Sequence, residues 1–268
     1  LARLWLASAI LAGLGVGLPV SWGVEAAPGL AVSDTKSVDS AALTKLVEQA
    51  QIRGKVPGLS AAVVIGDEIV WAGAAGLADI ENDVPATPQT VYRIGSISKP
   101  IAAVAVMQLV EQGKVSLDDV IQKYVPSFPK KEQGEVTVRH LMTHTAGVRH
   151  YKPGEFLSRQ RFDDVADAIS IFKDDPLLFA PGEKFSYSSY GYNLLAGVVE
   201  VASGQPFDNY LQEHVFDPAG MASAACERAE QIVPHRARSY ERTKSGEFEN
   251  APYVDLSIKW AGGGLIAS

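Results

Sequence analysis

Cysteine is nearly absent from this chain, since Cys226 is the only one among its 268 residues. A single cysteine excludes an internal disulfide and a cysteine-rich metal site. Its Ala-Ala-Cys-Glu-Arg setting offers no base beside the thiol, so we expect a structural cysteine rather than a catalytic one. An excess of basic residues is also lacking, because the formal net charge is −7. We therefore expect no nucleic acid among the partners of this protein.

One long apolar run is present, at residues 1–20, and Arg3 is its only charged residue. The small residues Ala26 and Ala27 follow it, as in a secretory signal with a cleavage site. The run is also long enough to remain as a membrane anchor. We expect residues 1–27 to be one of these two. A periplasmic or otherwise extracytoplasmic location follows, with a mitochondrial address as the weaker alternative.

Internal repeats and low-complexity tracts are lacking as well. Residues 28–38 are a mixed stretch that contains proline and glycine, which predicts a linker. The length of the chain fits one large or two small domains. We assign residues 39–268 to one folded domain.

The most informative stretch is Arg93–Gln112, in which a serine and a lysine precede a nearly all-apolar run. Pro100 fits only the first turn of a helix and Gly113 is a natural stop, so we predict a helix that is apolar and buried on all sides. Ser96 then lies at or just before the helix N-terminus, and Lys99 lies one turn on, on the same face. A lysine whose pKa is lowered by burial can take the proton of a serine nucleophile. Penicillin-recognising serine enzymes use this Ser-x-x-Lys spacing.

The rest of the domain alternates between strand-like and helical patterns. Two β-branched runs around Gly66-Asp67 predict a hairpin. The predicted elements are a helix capped by Asp39 or Ser40, strands at 59–65 and 68–76, helices at 137–144, 164–172, 190–203 and 207–216, and strands at 238–242 and 248–254. This order predicts an α/β (α+β) fold, with a sheet flanked by helices and an inserted helical region.

A hydroxyl-rich stretch, Tyr187-Ser188-Ser189, stands about ninety residues after Ser96. Together with Ser96-x-x-Lys99 it resembles the Tyr-x-Asn element of class C β-lactamases and related serine DD-peptidases and esterases, with Ser189 in place of the family's Asn. Other stretches support the resemblance. Residues 92–96 resemble the residues that lead up to the nucleophilic serine in the family. Residues 141–147 resemble its Leu-Leu-x-His-x-Ser-Gly segment. Closer still to the LACTB-type branch of β-lactamase-like serine proteases are residues 148–151, 172–177, 252–255 and 259–264.

The resemblance implies a β-lactamase/DD-peptidase-like fold with an antiparallel sheet, and serine hydrolase chemistry. Ser96 would attack an amide or ester carbonyl and form an acyl-enzyme, with Lys99 and Tyr187 sharing the role of base and Tyr187 protonating the leaving group. The Ser96 backbone N–H and one from a strand edge would form the oxyanion hole. The residues expected to bind substrate are Ser189, Gly263 and Gly264, and Ser189 would orient either the substrate or Lys99. We expect no cofactor and no metal, and the substrate stays open among peptides, D-amino-acid peptides, β-lactams and esters.

The family has a third element, Lys- or His-Ser/Thr-Gly, on the strand that flanks its active site. Lys244-Ser245-Gly246 matches these letters, but the charged residues around it predict a solvated hairpin turn instead. In the LACTB-type pattern the third element lies past Ser268. We therefore expect the C-terminal part of the fold to be missing from this chain, and these residues alone to fold poorly or to be inactive.

His140 and His144 stand four residues apart on a predicted helix, a spacing that metal sites also use. The zinc-protease pattern has Glu directly after its first His, and Leu141 stands there. Helix capping and hydrogen bonding in the core are therefore the favoured roles.

A second class of function is a non-catalytic protein that keeps the penicillin-binding fold and acts in binding or assembly. The LACTB-type branch is associated with polymerisation, so the resemblance also implies a homo-oligomer or filament. The joint presence of Ser96, Lys99 and Tyr187 favours the enzyme.

Overall fold

The computed structural model describes residues 38–268, which fall into two compact units. One unit ends at Pro88 and the other is Gln89–Ser268, and each is described by itself. The leader or anchor predicted at residues 1–27, and all but the last residue of the linker predicted at 28–38, lie outside the described residues. None of the described helices is long and apolar enough to cross a membrane.

The first unit, in its described part, is a helix followed by a hairpin. Its elements are α1 (Ser40–Gly54), β1 (Gly58–Ile65), β2 (Glu68–Asp79) and β3 (Val84–Pro85). Asp39 caps α1 by accepting the Ala42 N–H, as predicted. β1 and β2 pair antiparallel around the predicted turn, where Gly66 has φ +63°, and β3 pairs with β2.

The second unit contains a block of helices between two sets of short strands. Its helices are α2 (Ser98–Glu111), α3 (Val138–Met142), α4 (Val165–Ile169), α5 (Ser189–Ser203), α6 (Phe207–Leu211) and α7 (Trp260–Gly263). Its strands are β4 (Tyr92–Arg93), β5 (Ala225–Cys226), β6 (Tyr240–Arg242), β7 (Phe248–Asn250) and β8 (Leu265–Ala267).

β8 is the central strand of a three-stranded antiparallel sheet with the order β4-β8-β5. This pairing brings residues 265–267 beside the strand that precedes Ser96. β6 and β7 form a separate antiparallel hairpin. The turn of that hairpin contains Lys244-Ser245-Gly246, and the Arg242 guanidinium donates to the Gly246 carbonyl. The predicted hairpin turn is confirmed.

Helix α5 lies in the centre of the hydrophobic core of the second unit. All of residues 189–199 are buried, and the helix packs against α2, α3, α4 and α7. Ser188 caps its N-terminus by accepting the Gly191 N–H. Gly204, with φ +76°, follows its last residue, so the predicted end of the helix at residue 203 is confirmed. A helix held on so many sides gives a rigid position to the residues at its start.

Helix α2 is not buried on all sides, so that prediction is wrong. Val104 and Met107 are 48% and 40% exposed, whereas Lys99, Ala105 and Leu109 are buried. The buried face packs against α5 and α7. An all-apolar sequence permits burial on every side, but the number of neighbouring elements decides how many sides are covered.

Several of the predicted helices and strands are longer than those observed. The helix predicted at 164–172 is observed only as α4, after which Phe172 stacks on Tyr190 with 4.4 Å between ring centres. The helix predicted at 207–216 is α6 followed by a π-helical turn. The strands predicted from 238 and from 248 shorten to β6 and β7.

Candidate active site

Ser96 lies in a 3₁₀ turn, Gly95–Ile97, that leads directly into α2. Gly95 has φ +52°, a conformation that favours glycine, and it bends the chain between β4 and the turn. Ser98 holds the turn from within, because its hydroxyl donates to the Gly95 carbonyl at 2.6 Å and accepts the Leu265 N–H at 3.2 Å. The turn that carries Ser96 is therefore tied to β8.

Lys99 lies one helical turn after Ser96, and it is only 4% exposed. Its ammonium donates to Ser96 Oγ at 3.1 Å, to Ser189 Oγ at 3.0 Å and to the Gly262 carbonyl at 2.5 Å. Within residues 38–268 it has no carboxylate partner. Burial without a negative charge favours the neutral amine, and it lowers the pKa of Lys99 to about 7.

Tyr187 approaches Ser96 from the loop before α5. Its hydroxyl donates to Ser96 Oγ at 2.6 Å, and its ring faces the Lys99 ammonium at 4.6 Å. The side chain is 39% exposed, so the cluster is reachable from solvent on this side. Ser96 Oγ thus lies within hydrogen-bond distance of two groups that exchange protons, although Tyr187 is 91 residues away in the sequence.

Ser189, which stands where the family has Asn, is the first residue of α5 and is 3% exposed. Its hydroxyl accepts the hydrogen bond from Lys99 and also contacts the phenol of Tyr151, whose pKa is raised by burial. This geometry suits a residue that orients Lys99. A contact between Ser189 and substrate stays a prediction.

The three glycines before β8 differ in what surrounds them. A Cβ on Gly262 would lie 2.6 Å from the Ser189 carbonyl oxygen, so only glycine fits there, and this approach brings the Gly262 carbonyl to Lys99. A Cβ on Gly263 would lie 3.7 Å from the Gly95 carbonyl carbon, an ordinary contact beside the Ser96 turn. A Cβ on Gly264 would clash with backbone atoms of Trp260. The substrate-binding role of Gly263 and Gly264 stays a prediction, and Gly262 was not among the site residues predicted from the sequence.

Two histidines that sequence reasoning did not place in the site accept backbone hydrogen bonds there. His144 Nδ1 accepts the Ser188 N–H and His150 Nδ1 accepts the Ser189 N–H, each at 3.2 Å. Both imidazoles also contact the Tyr187 ring. The available signal was their position in segments that resemble the family, and the contacts themselves span 39 and 44 residues.

The remaining candidates of the sequence analysis lie apart from this cluster. His140 forms a capping box with Thr137 at the start of α3, so its predicted capping role is confirmed. Cys226 is buried in β5, and burial raises the pKa of its thiol, as expected of a structural cysteine. Over the described part of the chain, no three His, Cys, Asp or Glu side chains are grouped as metal ligands.

Comparisons with known proteins agree on one family. The Beta-lactamase family matches residues 43–268. The human mitochondrial serine beta-lactamase-like protein LACTB is 35% identical over 280 residues, covering 79% of this chain and 51% of that protein. Esterase EstB of Burkholderia gladioli is 34% identical over 206 residues, covering 71% and 52%.

Among solved structures, the octameric penicillin-binding protein homologue from Pyrococcus abyssi superposes with a TM-score of 0.72. It is 28% identical in sequence and covers 86% of this chain and 54% of its own. The chain thus spans about half the length of the curated relatives it matches.

Proposed function

Because the chain belongs to the beta-lactamase family and has its β-lactamase/DD-peptidase-like fold, we propose that it is a serine hydrolase acting through an acyl-Ser96 intermediate. It would cleave an amide or an ester bond. The observation that carries the proposal is the position of Ser96 Oγ, 3.1 Å from Lys99 Nζ and 2.6 Å from the Tyr187 hydroxyl. A serine hydroxyl becomes an effective nucleophile only when such a neighbour takes its proton.

In the proposed reaction the Ser96 proton passes to the neutral amine of Lys99, directly or through the Tyr187 hydroxyl, as Oγ bonds to the substrate carbonyl carbon. The tetrahedral intermediate carries its negative charge near the Ser96 backbone N–H at the start of α2. The bond to the leaving nitrogen or oxygen then breaks, and Tyr187 delivers a proton to it. Water attacks the acyl carbon and gives its proton to the same groups. The bond from that carbon to Ser96 Oγ then breaks, and the proton is returned to Oγ, which regenerates the serine hydroxyl.

The electrostatics of Lys99 support this assignment. A general base works best when its pKa lies near the working pH. An exposed lysine would be almost fully protonated at neutral pH, whereas a pKa of about 7 leaves a large neutral fraction. Ser189 and the Gly262 carbonyl hold the amine in place without adding a charged group.

The substrate class stays open among peptides, D-amino-acid peptides, β-lactams and simple esters. The name of the relative EstB supports an ester, and the Pyrococcus homologue supports a penicillin-type acyl donor. The alternative is a non-catalytic member of the family that binds or assembles.

Covalent labelling of the complete native protein tests the proposal. Incubation with a fluorophosphonate or a fluorescent penicillin should give a labelled band, and the variant Ser96→Ala should give none. Equal labelling of both proteins, or no labelling of a protein that melts cooperatively, would favour the non-catalytic alternative.

We also propose that residues 39–268 form the hydrolase domain, behind a signal peptide or membrane anchor at residues 1–27 that leads to an extracytoplasmic location, with a mitochondrial address as the weaker alternative. The octameric Pyrococcus relative supports a homo-oligomeric assembly. N-terminal sequencing of the mature protein and its native mass would test both points.

A further inference from the structure

The turn that carries Tyr187 is held by two imidazoles that accept hydrogen bonds from consecutive backbone amides. The Ser188 N–H donates to His144 Nδ1 and the Ser189 N–H donates to His150 Nδ1, each at 3.2 Å. These amides stand at the start of α5, where a helix has no acceptor of its own for its first N–H groups. Ser188 caps α5 in the usual way, because its side chain accepts the Gly191 N–H. The acceptors for the Ser188 and Ser189 amides come instead from distant parts of the chain.

His144 is itself held tightly in the required position. Its φ is +59°, a left-handed conformation that is costly for a residue with a Cβ and persists only where the surroundings enforce it. Its carbonyl accepts the Ser186 N–H at 2.8 Å, so the residue pairs with the loop on both sides of Tyr187. Its ring lies 4.5 Å from the Tyr187 ring and 5.1 Å from the Tyr192 ring.

His150 approaches the same loop from another direction. Its ring is 5.6 Å from the Tyr187 ring, in an edge-to-face arrangement, and 4.4 Å from the Tyr151 ring. Tyr187 is therefore in contact with both imidazoles, while its hydroxyl reaches Ser96. A shift of either ring would move the phenol relative to the serine.

Both imidazoles must be neutral to make these contacts, because Nδ1 accepts a hydrogen bond only when it carries no proton. Burial lowers the pKa of His144 to about 4, and the charge of Lys99 and the neighbouring His150 act in the same direction. Burial also lowers the pKa of His150, as do the charges of Lys99 and Lys259. The described groups that act on the two rings are thus basic, and none is a carboxylate.

We propose that His144 and His150 are positioning residues, which hold the Tyr187–Ser189 turn against Ser96 and Lys99 with neutral acceptors. The inference rests on the proposed function, since the geometry that they maintain is that of proton exchange with Ser96. A carboxylate could accept the same amides. Its negative charge would, however, stabilise the Lys99 ammonium and raise the pKa of that amine. An imidazole supplies the acceptor without that charge.

Three substitutions at His144 distinguish the effects of the hydrogen-bond acceptor, the aromatic ring and the charge of the side chain. His144→Phe keeps a ring and removes the acceptor. His144→Asn keeps a neutral acceptor and tolerates the left-handed conformation. His144→Asp keeps an acceptor and adds a negative charge.

The readout is the rate at which a fluorophosphonate labels Ser96 in the complete native protein, measured from pH 5 to pH 9. We expect His144→Phe to lower the rate by about tenfold to a hundredfold, since small misplacements of reacting groups have effects of that size. His144→Asn should stay within about threefold of the wild-type rate. His144→Asp should move the midpoint of the pH–rate profile upward by about one pH unit.

The matched control is His214→Asn, because His214 is a half-exposed histidine beside Glu213 on the segment after α6. It should change neither the rate nor the profile. Thermal melts of all variants separate loss of fold from loss of positioning. Wild-type labelling rates in His144→Phe, or equal losses in His144→Phe and His144→Asn with intact melts, would overturn the inference.

A second measurement does not depend on activity. Nitrogen NMR of the imidazoles should show His144 and His150 neutral at pH 7, with the proton on Nε2. A proton on Nδ1 of either ring would overturn the inference even in an active enzyme. Absence of Ser96 labelling in a folded wild-type protein that has the expected tautomers would instead count against the proposed function.

Discussion

Two buried lysines, Lys99 at the start of α2 and Lys259 just before α7, show what burial does and does not decide. They are 4% and 7% exposed, and burial lowers their pKa values to about 7 and about 8. Lys99 donates to three oxygen atoms. The Lys259 ammonium lies 3.7 Å from the centre of the Phe156 ring, without a hydrogen bond or ion pair in the described part of the chain. Burial tunes both amines, but only one is placed against a hydroxyl.

The two lysines are linked through one short helix. Lys259 immediately precedes α7, and the carbonyl of Gly262 within α7 accepts the hydrogen bond from Lys99. The Lys259 carbonyl accepts the Gly262 N–H at 2.6 Å, so its backbone supports the residue that orients Lys99, whereas its amine lies over the Phe156 ring and does not contact Ser96. A lowered pKa therefore identifies a candidate base only together with the hydrogen-bond partners of that group.

Removing each of the two amines in turn should give very different rates of Ser96 labelling. Lys99→Met should lower the rate of Ser96 labelling by about a thousandfold, because general-base catalysis contributes on that order. Lys259→Met, the matched buried control, should stay within about tenfold, since its amine does not contact Ser96. Labelling rates of both variants at pH 7 provide the measurement. Similar losses of labelling rate in the two variants would show that Lys99 supports the structure of the site and does not transfer the Ser96 proton.

An intermediate effect is expected from Gly262→Ala, which disturbs the link between the two lysines. The new Cβ would lie 2.6 Å from the Ser189 carbonyl oxygen and 3.0 Å from Ser189 Cβ, so backbone must shift. We expect a loss of about 1–3 kcal/mol in unfolding free energy and about a tenfold slower labelling of Ser96. Denaturant unfolding and labelling kinetics measure the two effects. Gly54→Ala, where the nearest atom is 3.9 Å away, is the control, and an equal response there would contradict the steric argument.

The smallest effect concerns stability alone. The pKa of Lys259 is about 8 in the folded protein against an ordinary value of 10.5, so the unfolded chain binds more protons between these values. Unfolding free energy should therefore rise with pH across that window, and the penalty for burying the charge is complete below pH 8. The fall in pKa from 10.5 to about 8 corresponds to about 3 kcal/mol, and loss of the cation–π contact with Phe156 offsets about 1–2 kcal/mol of it. Lys259→Met should therefore stabilise the protein by about 1–2 kcal/mol at pH 7, with the gain shrinking toward pH 10.5. A gain that is independent of pH, in urea unfolding at several pH values, would refute this account.

Local features of the fold could be predicted because each depends on residues within a few positions of one another. Asp39 and Thr137 cap their helices, Gly204 ends α5, and the glycine turn between β1 and β2 forms as expected. Helix and strand lengths were less predictable, since packing partners decide where an element stops. The exposure of Val104 could not be predicted for the same reason, because the sequence of a helix does not show which of its faces lacks a packing partner.

Three features could be read from the amino-acid sequence alone: the family, the serine and the amine one helical turn apart, and the rejection of Lys244-Ser245-Gly246 as a site element. These depend on motifs and on contacts between near neighbours. The contact of the Gly262 carbonyl with Lys99, and those of His144 and His150 with the turn before α5, could be recognised only in the three-dimensional fold. Such contacts join segments from 39 to 163 residues apart, and short-range periodicity carries no information about which distant backbone groups will meet.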